Sequence, residues 1–308
     1  MSKDIVKSII GMELNGYLIK RYIASGSFGD VYEAENKKTN ELVALKIPIM
    51  TEEKNGERCL LEELDIYKVL NKNKCHGISN AKVISNKKLG KKIIIMDLLG
   101  DSLEALMQKS EKKRLSLKTI LLLAMQMIKI LKDVHDAGYI HRDLKPDNFV
   151  IDIKTNNIVY CIDFGLAKKY INEKEHVELK KNGHFCGTAR YASLAAHKGY
   201  TQSRKDDLES LGYLLIYLYK GKLKWMGIKN KDKKQRYKLI QEEKEKMTDE
   251  KLCEKLPRQF LVYFKYIHSL DFNEKPRYTS LINMFKKLYE ERGYKDDKFE
   301  WVHDPLVK

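Results

Sequence analysis

Long apolar stretches are missing from this chain. Its 308 residues contain no run of about 18 apolar residues, the length a helix needs to cross a bilayer, so no membrane insertion is expected. Proline is scarce, with 5 in all. No Pro/Gly/Ser-rich linker and no internal repeat divides the sequence, which excludes repeat arrays and linker-strung modules. Cysteine is few and scattered: Cys59, Cys75, Cys161, Cys186 and Cys253 form no CxxC pair. An odd, irregular set fits reduced thiols better than a disulfide framework, so a cytoplasmic or nuclear location is expected. The start, Met1-Ser2-Lys3-Asp4, lacks a signal peptide's apolar core and has Ser where myristoylation needs Gly. Acidic residues are outnumbered, 43 Asp and Glu against 59 Lys and Arg, for a net charge of +16. Such a field attracts polyanions: nucleic acid, acidic lipid, or acidic and phosphorylated proteins. A Lys-rich surface is also the ordinary dress of a solvated protein, so charge alone does not choose the partner.

What is present is an ordinary globular composition, 43% hydrophobic, in a length that holds one large domain or two lobes. The N-terminal third reads mainly as strands. Tyr17–Ala24 and Asp30–Glu35 flank a glycine-bearing turn, and Glu41–Pro48 alternates Val43, Leu45 and Ile47. Gly56–Leu70 reads as a helix with Leu60, Leu64 and Tyr67 on one face, and Lys91–Met96 as a short buried strand. From Ser102 onward the period is helical: Ser116–Asp136, with Ser116 as N-cap, then Ser203–Tyr219, Pro257–Leu270 and Thr279–Arg292. The expected fold class is α+β. A small β-rich lobe with one main helix (about 1–96) precedes a larger helical lobe (102–308), joined by a hinge at 97–101.

Two stretches concentrate the chemistry. His141-Arg142-Asp143-Leu144-Lys145-Pro146-Asp147-Asn148 places a carboxylate, an ammonium and an amide on one short loop. Cys161-Ile162-Asp163-Phe164-Gly165 returns a second carboxylate after a hairpin. A nucleoside triphosphate with Mg²⁺ needs such a set: oxygen ligands for the metal, a cation for the phosphates and a carboxylate for the attacking hydroxyl. Asp143 is then the residue that orients and deprotonates the hydroxyl, and Lys145 neutralises the transferring group. Asn148 and Asp163 are the metal ligands. His141 more often serves as a loop-supporting histidine, and Arg142 pairs with a nearby acid or anion. Upstream, Ala24-Ser25-Gly26-Ser27-Phe28-Gly29-Asp30 is a turn whose glycines let backbone amides approach phosphates. Alone it is a weak signal. Val43-Ala44-Leu45-Lys46, 17 residues after Gly29, strengthens it, because a strand Lys among apolar neighbours demands an anionic partner. Glu63 is the preferred partner and Glu62 the competitor; adjacent helical residues point about 100° apart, so one of them faces Lys46.

On these residues the chain resembles the eukaryotic protein kinases. Lys145 after His-Arg-Asp-Leu, with Gly187-Thr188, resembles the serine/threonine class. The segments Gly187-Thr188-Ala189-Arg190-Tyr191-Ala192-Ser193 and Gln202-Ser203-Arg204-Lys205-Asp206-Asp207-Leu208-Glu209-Ser210-Leu211-Gly212-Tyr213 resemble casein kinase 1, and Leu194-Ala195-Ala196-His197 stands where most kinases carry Ala-Pro-Glu. The resemblance covers about Tyr17 to Trp301. It implies the bilobal kinase fold, ATP and Mg²⁺ as cofactors, and acidic or phosphate-primed protein substrates. It places Met96 behind the adenine and Leu99 where its backbone would hydrogen-bond the adenine edge, and counts Asp97 among the nucleotide-binding residues. Ile23, Val31, Ala44, Val150 and Ile162 would sandwich the ring. Thr188 would bond near Asp143 and Lys145. Asp207 would brace the catalytic loop, with Asp206 left as a solvent-facing helix acid. Arg190 and Arg236 match a pocket that reads a phosphate three residues before the target.

Three departures accompany the resemblance. Ala24 replaces the first loop glycine, Gly183 replaces a basic residue of the phosphate pocket, and Lys224 precedes Trp225 where relatives have Pro. Lys180, Lys181, Lys233 or Lys234 are candidates to compensate at the pocket. Between Gly165 and Gly187 the only hydroxyl is that of Tyr170, so activity without loop phosphorylation is expected. A non-catalytic scaffold is disfavoured because Lys46, Asp143 and Asp163 are all kept. A nucleic-acid-binding protein is disfavoured because no zinc spacing or interleaved aromatic motif occurs. A monomer is expected.

Overall fold

The computed structural model describes residues 9–26, 28–48, 56–172, 175–181 and 183–302. They form two compact units. One runs to Gly100 and also contains Ile162–Gly165; the other holds Asp101–Cys161 and the chain from Leu166 onward. The fold class is α+β, with the long strands in the first unit and most helices in the second.

The first unit is a six-stranded antiparallel sheet in the order β1-β2-β3-β4-β6-β5. Its strands are β1 (Glu13–Leu14), β2 (Tyr17–Ser25), β3 (Gly29–Asn36), β4 (Leu42–Pro48), β5 (Ala81–Asn86) and β6 (Lys91–Asp97). Alternation along β4 decides what each face carries. Leu45 and Ile47 join Leu14, Ile19, Tyr32, Ile93 and Ile95 in one apolar core. Ala44 and Lys46 take the other face, with Val31 and Ile94 opposite Lys46 and Met96 opposite Ala44. Helix α1 (Gly56–Lys72) buries Leu60, Glu63, Leu64 and Tyr67, and Leu60 and Leu64 pack on Ile94 with Met96 beside them. Glu57 in its first turn and Lys72 in its last complement the helix dipole. Ile162–Gly165 joins this unit through side chains: Phe164 lies edge-on to Tyr67 with ring centroids 5.2 Å apart, and the Asp163 N–H donates to Tyr67 Oη at 3.2 Å. Strand β5 has no clear sequence signature because it is an edge strand with mostly exposed side chains.

The second unit is helical: α2 (Leu103–Lys109), α3 (Leu117–Asp136), α4 (Leu194–His197), α5 (Arg204–Lys220), α6 (Lys233–Glu245), α7 (Asp249–Leu252), α8 (Arg258–Ser269) and α9 (Tyr278–Glu291). Short pairs β7 (Tyr139–Ile140) with β10 (Lys168–Lys169), and β8 (Phe149–Ile151) with β9 (Val159–Cys161), support its loops. Ser116 caps α3 by accepting from the Thr119 N–H. Helix α3 runs through the core against α5 and α9. Helix α6 was invisible to apolar periodicity because only Ile240 and Lys244 are buried along it. One sequence expectation fails here. Asp206 is not solvent-facing; it is 3% exposed. It closes a capping box with Ser203, accepting from the Ser203 N–H at 2.7 Å, and its other oxygen meets Ser193 Oγ at 2.5 Å. The capping geometry turns this first-turn acid back toward its own helix start rather than outward.

Candidate active site

In the first unit the site begins with Lys46. Strand β4 points it toward α1, where it is 3% exposed. Its ammonium donates to Glu63 Oε1 and Oε2 at 2.8 and 2.6 Å, and to Asp163 Oδ1 at 3.2 Å. Burial alone would push this ammonium's pKa down, but the attraction of Glu63 and Asp163 outweighs it and holds the group above its usual value. Glu62 is elsewhere: its carboxylate is exposed and pairs with Arg58 at 2.9 Å. The glycines shape the space above Lys46. A Cβ on Gly26 would stand 3.4 Å from Lys46 Nζ, and one on Gly29 would stand 2.8 Å from the Ile47 carbonyl oxygen. A Cβ on Gly165 would strike the Phe28 ring at 2.6 Å. Ser27 lies outside the described residues. Ala24 sits within β2, paired with Val31, and takes no positive φ, so the backbone there does not call for glycine. Asp30 is buried at the start of β3.

Among the residues named for the adenine, Val31, Ala44 and Met96 share the Lys46 face of the sheet. Ile23 is 38% exposed, and Ser25 pairs with Asp30 at the end of the β2–β3 ladder. Leu99 and Ile162 are half-buried in the same unit. The Asp97 carboxylate is used locally: it accepts from the Asn80 N–H at 2.8 Å and from Asn80 Nδ2 at 3.0 Å. Val150 lies in β8 of the second unit, buried and opposite Tyr160.

In the second unit the loop after β7 is built on Asp207. This carboxylate, 2% exposed, accepts from the His141 and Arg142 N–H groups at 2.7 and 2.9 Å and meets His135 Nε2 at 2.9 Å. Burial would raise its pKa, but the His135 hydrogen bond and the positive character of His135 and His141 hold it below the usual carboxylate range. The grip matters because Arg142 has φ +68°, a conformation that costs a non-glycine residue about 1–2 kcal/mol. Its guanidinium Nε donates to the Leu166 carbonyl at 2.7 Å, so a carbonyl, not an acid, receives it. Asp143 follows, 6% exposed. Its Oδ2 accepts from Lys145 Nζ at 3.0 Å and its Oδ1 from Thr188 Oγ1 at 2.7 Å. Asn148 Nδ2 donates to the Asp143 carbonyl at 2.9 Å, which leaves the amide oxygen as its ligand-type atom. Gly187 has φ +99°, and a Cβ there would lie 2.4 Å from the Arg142 carbonyl oxygen; only glycine lets the 187–193 segment approach this loop so closely.

Two separate sets therefore exist: Lys46, Glu63 and Asp163 in one unit, and Asp143, Lys145, Asn148 and Thr188 in the other. Residues 17–289 match the family model of the protein kinase domain. The chain belongs to this family. Kinase domains transfer phosphoryl groups to proteins and in general use ATP with a divalent metal. Each unit has features that fit such a ligand: in the first, the glycine turn leaves a cradle that a Cβ would fill and Asp163 offers a hard oxygen donor; in the second, the Asn148 amide oxygen is another. Among the described residues no cluster of three or more His, Cys, Asp or Glu could hold a metal ion.

The residues named for substrate phosphate have different settings. The Arg190 guanidinium is held over the Tyr217 and Tyr191 rings, 5.5 and 5.7 Å from their centroids, and Trp225 Nε1 donates to its carbonyl at 2.7 Å. Arg236 sits on exposed α6 over Tyr237 at 5.9 Å. The two share no partner among the described contacts. A hollow of about 610 Å³ opens instead beside Arg142, walled by Lys168, Lys169, Lys180, His176 and His184. Lys168 was missed by sequence reasoning, since nothing in a Lys-Lys pair after Gly-Leu-Ala marks it as facing a hollow. Tyr170, the one hydroxyl of the 165–187 stretch, is 3% exposed and donates to the His135 carbonyl at 2.7 Å.

Proposed function

We propose that this kinase is of the casein kinase 1 type and phosphorylates Ser and Thr of acidic or phosphate-primed proteins. It acts as a monomer in the cytoplasm or nucleus, with Mg²⁺-ATP, and needs no phosphorylation of its own 165–187 segment. The observation that carries the reading is the Asp143 carboxylate held by Lys145 on one oxygen and Thr188 on the other. A substrate hydroxyl meeting this carboxylate is oriented and loses its proton to it as its oxygen bonds to the γ phosphorus, while the bond from that phosphorus to the β–γ bridging oxygen breaks and ADP leaves. Lys145 stands on the same carboxylate, placed to neutralise charge on the group in transfer. Lys46 is oriented by Glu63 to hold phosphate oxygens. Asp163 and Asn148 would hold Mg²⁺, which would neutralise phosphate charge. The reaction needs both sets of residues to serve one nucleotide.

Acidic preference is supported by the net charge of +16 and by Lys168 and Lys169 in the hollow beside Arg142, whose lining also holds Glu175 and Glu178, the latter paired with Lys180. The test is a set of peptides alike except for Ser, Thr or Tyr at the target, each with Ala, Glu or phosphoserine three residues before it. Ser and Thr peptides should be labelled from ATP, fastest with phosphoserine, and Asp143→Asn should slow labelling about 10³-fold. Equal labelling of Tyr would overturn the Ser/Thr assignment, and no labelling of any polypeptide would overturn the whole reading. Arg190→Ala combined with Arg236→Ala should slow primed peptides more than unprimed ones; equal slowing would contradict the pocket. Lys168→Ala tests the hollow beside Arg142 on the same peptide pairs.

A further inference from the structure

A second cationic hollow lies in the helical unit, apart from the residues given catalytic or phosphate-pocket roles above. It has a volume of about 750 Å³. Four stretches wall it: the 110–116 loop between α2 and α3, the end of α5 with the chain that leaves it, α7 with the turn after it, and Glu300. Lys112, Arg114, Lys222, Lys224, Lys251 and Lys255 line it, all exposed. Elsewhere many surface lysines are paired, as in Lys109–Asp101, Lys118–Asp296 and Lys132–Asp136. None of these six has a carboxylate within ion-pair distance among the described residues, although Glu111, Glu254 and Glu300 share the lining. Glu300 is committed to the Ser116 N–H at 2.8 Å. Six unpaired cations around one concavity repel one another, and a bound anion relieves that repulsion.

The walls are tied together. The Leu115 N–H donates to the Leu218 carbonyl at 2.8 Å, with Leu115 itself buried. Lys220 reaches across to the Leu252 and Glu254 carbonyls at 3.0 and 2.8 Å. The hollow is therefore pre-organised, which lowers the entropic cost of filling it.

We propose that this hollow is a docking site for an acidic or phosphorylated segment of a partner protein. Concavity argues against a lipid surface, which is flat and would reach only the rim. Nucleic acid is less well matched: among the described residues Tyr219 is the only aromatic in the lining, and one ring is not a stacking platform for successive bases. Three interspersed carboxylates also suit the mixed charge of a polypeptide better than an unbroken phosphate backbone. Lys224, which stands where relatives of the resembled family have Pro, is part of this wall.

The test is direct binding without ATP, so its outcome is independent of phosphotransfer. The probes are a fluorescent peptide of twelve residues rich in Asp and Glu, the same peptide with phosphoserines, a random RNA duplex of equal charge, and vesicles containing one-fifth phosphatidylserine. The acidic peptides should bind, more weakly as salt rises from 50 to 200 mM, and Lys222→Glu/Lys224→Glu/Lys255→Glu should weaken binding at least tenfold. Replacing the three with Arg instead should keep affinity within about twofold and so control for folding, as should an unchanged thermal midpoint. In the Arg190→Ala/Arg236→Ala background the three-lysine reversal should weaken binding of the unphosphorylated acidic peptide by the same factor. Peptide affinity unmoved by charge reversal, or lost only with Arg190 and Arg236, would overturn the site. RNA or vesicles binding more tightly than either peptide and weakened by the same reversal would overturn the choice of partner. Comparison of the two peptides tells whether carboxylate or phosphate is the preferred anion.

Discussion

At the scale of single residues, Asp143 and Lys46 carry the sharpest consequences. General-base catalysis by a positioned side chain contributes about 10²–10⁴-fold. Asp143→Asn keeps the shape and can still accept from Thr188, but it cannot take a proton. We expect kcat to fall about 10³-fold with KM for ATP little changed, measured by initial rates on an acidic Ser peptide; a loss below tenfold would remove Asp143 from that role. Lys46 is different because its partners are buried. Lys46→Met leaves Glu63, 1% exposed, without its cation, and breaking a buried pair costs about 3–5 kcal/mol. We expect lost activity together with a clear drop in thermal midpoint, and Glu63→Gln should couple to it in a double-mutant cycle. Additive effects of the two changes would show that the 2.6 Å contact carries no shared energy.

At the scale of elements, the start of α5 holds two buried acids with opposite behaviour. Asp207 is held below its ordinary pKa by His135 and the loop amides. Its stabilising contribution is present above the unfolded value and is lost as pH falls through the folded one. Asp206 is pushed up to about 7 by burial, against the hydrogen bonds from Ser193 and Ser203. An unfolded Asp titrates near pH 4, so between about pH 4 and about pH 7 the folded state holds a proton that the unfolded state has lost. Stability from this group therefore falls as pH rises through that window, by up to about 4 kcal/mol. Asp206→Asn cannot titrate and still offers an acceptor to the Ser203 N–H. Urea midpoints measured from pH 4 to 8 should show a flatter decline for the variant; identical slopes would mean that Asp206 is ionised throughout. The same element explains the loop after Gly187: Ser193 binds Asp206, and the Leu194 N–H donates to Glu209 at 2.9 Å, so α5 anchors both the catalytic loop and the segment facing it.

At the scale of the whole molecule, regulation follows from what the 165–187 stretch offers. Its only hydroxyl, on Tyr170, is buried, hydrogen-bonded to the His135 carbonyl and covered by the Arg204 guanidinium 4.7 Å from the ring centroid. Kinases that order this stretch by phosphorylation pair the new phosphate with the loop arginine; here Arg142 donates to the Leu166 carbonyl without one. Protein made in bacteria and treated with phosphatase should therefore work at its full rate. More than about tenfold activation by an upstream kinase would contradict this. The net charge of +16 predicts in addition that turnover of acidic substrates weakens with salt, through KM rather than kcat, because screening acts on encounter.

Local pattern and spacing determined a great deal. Strands β2, β3, β4 and β6, helices α1, α3, α5, α8 and α9 and the loop bearing Asp143 and Asn148 could be read directly, because period-two and period-3.6 burial and a tight polar cluster are written in neighbouring residues; the edge strand β5 and the exposed helix α6 could not. Choosing Glu63 over Glu62 needed only the turn of a helix. Other features depended on contacts between residues distant in sequence. Ile162–Gly165 joins the first unit because Phe164 finds Tyr67; Asp206 turns inward because a capping box competes better than water; Arg142 finds a carbonyl; and unpaired lysines from three separate stretches ring one hollow. Such facts are decided by tertiary structure, since burial and pairing depend on which distant groups share a space, and no local period encodes that.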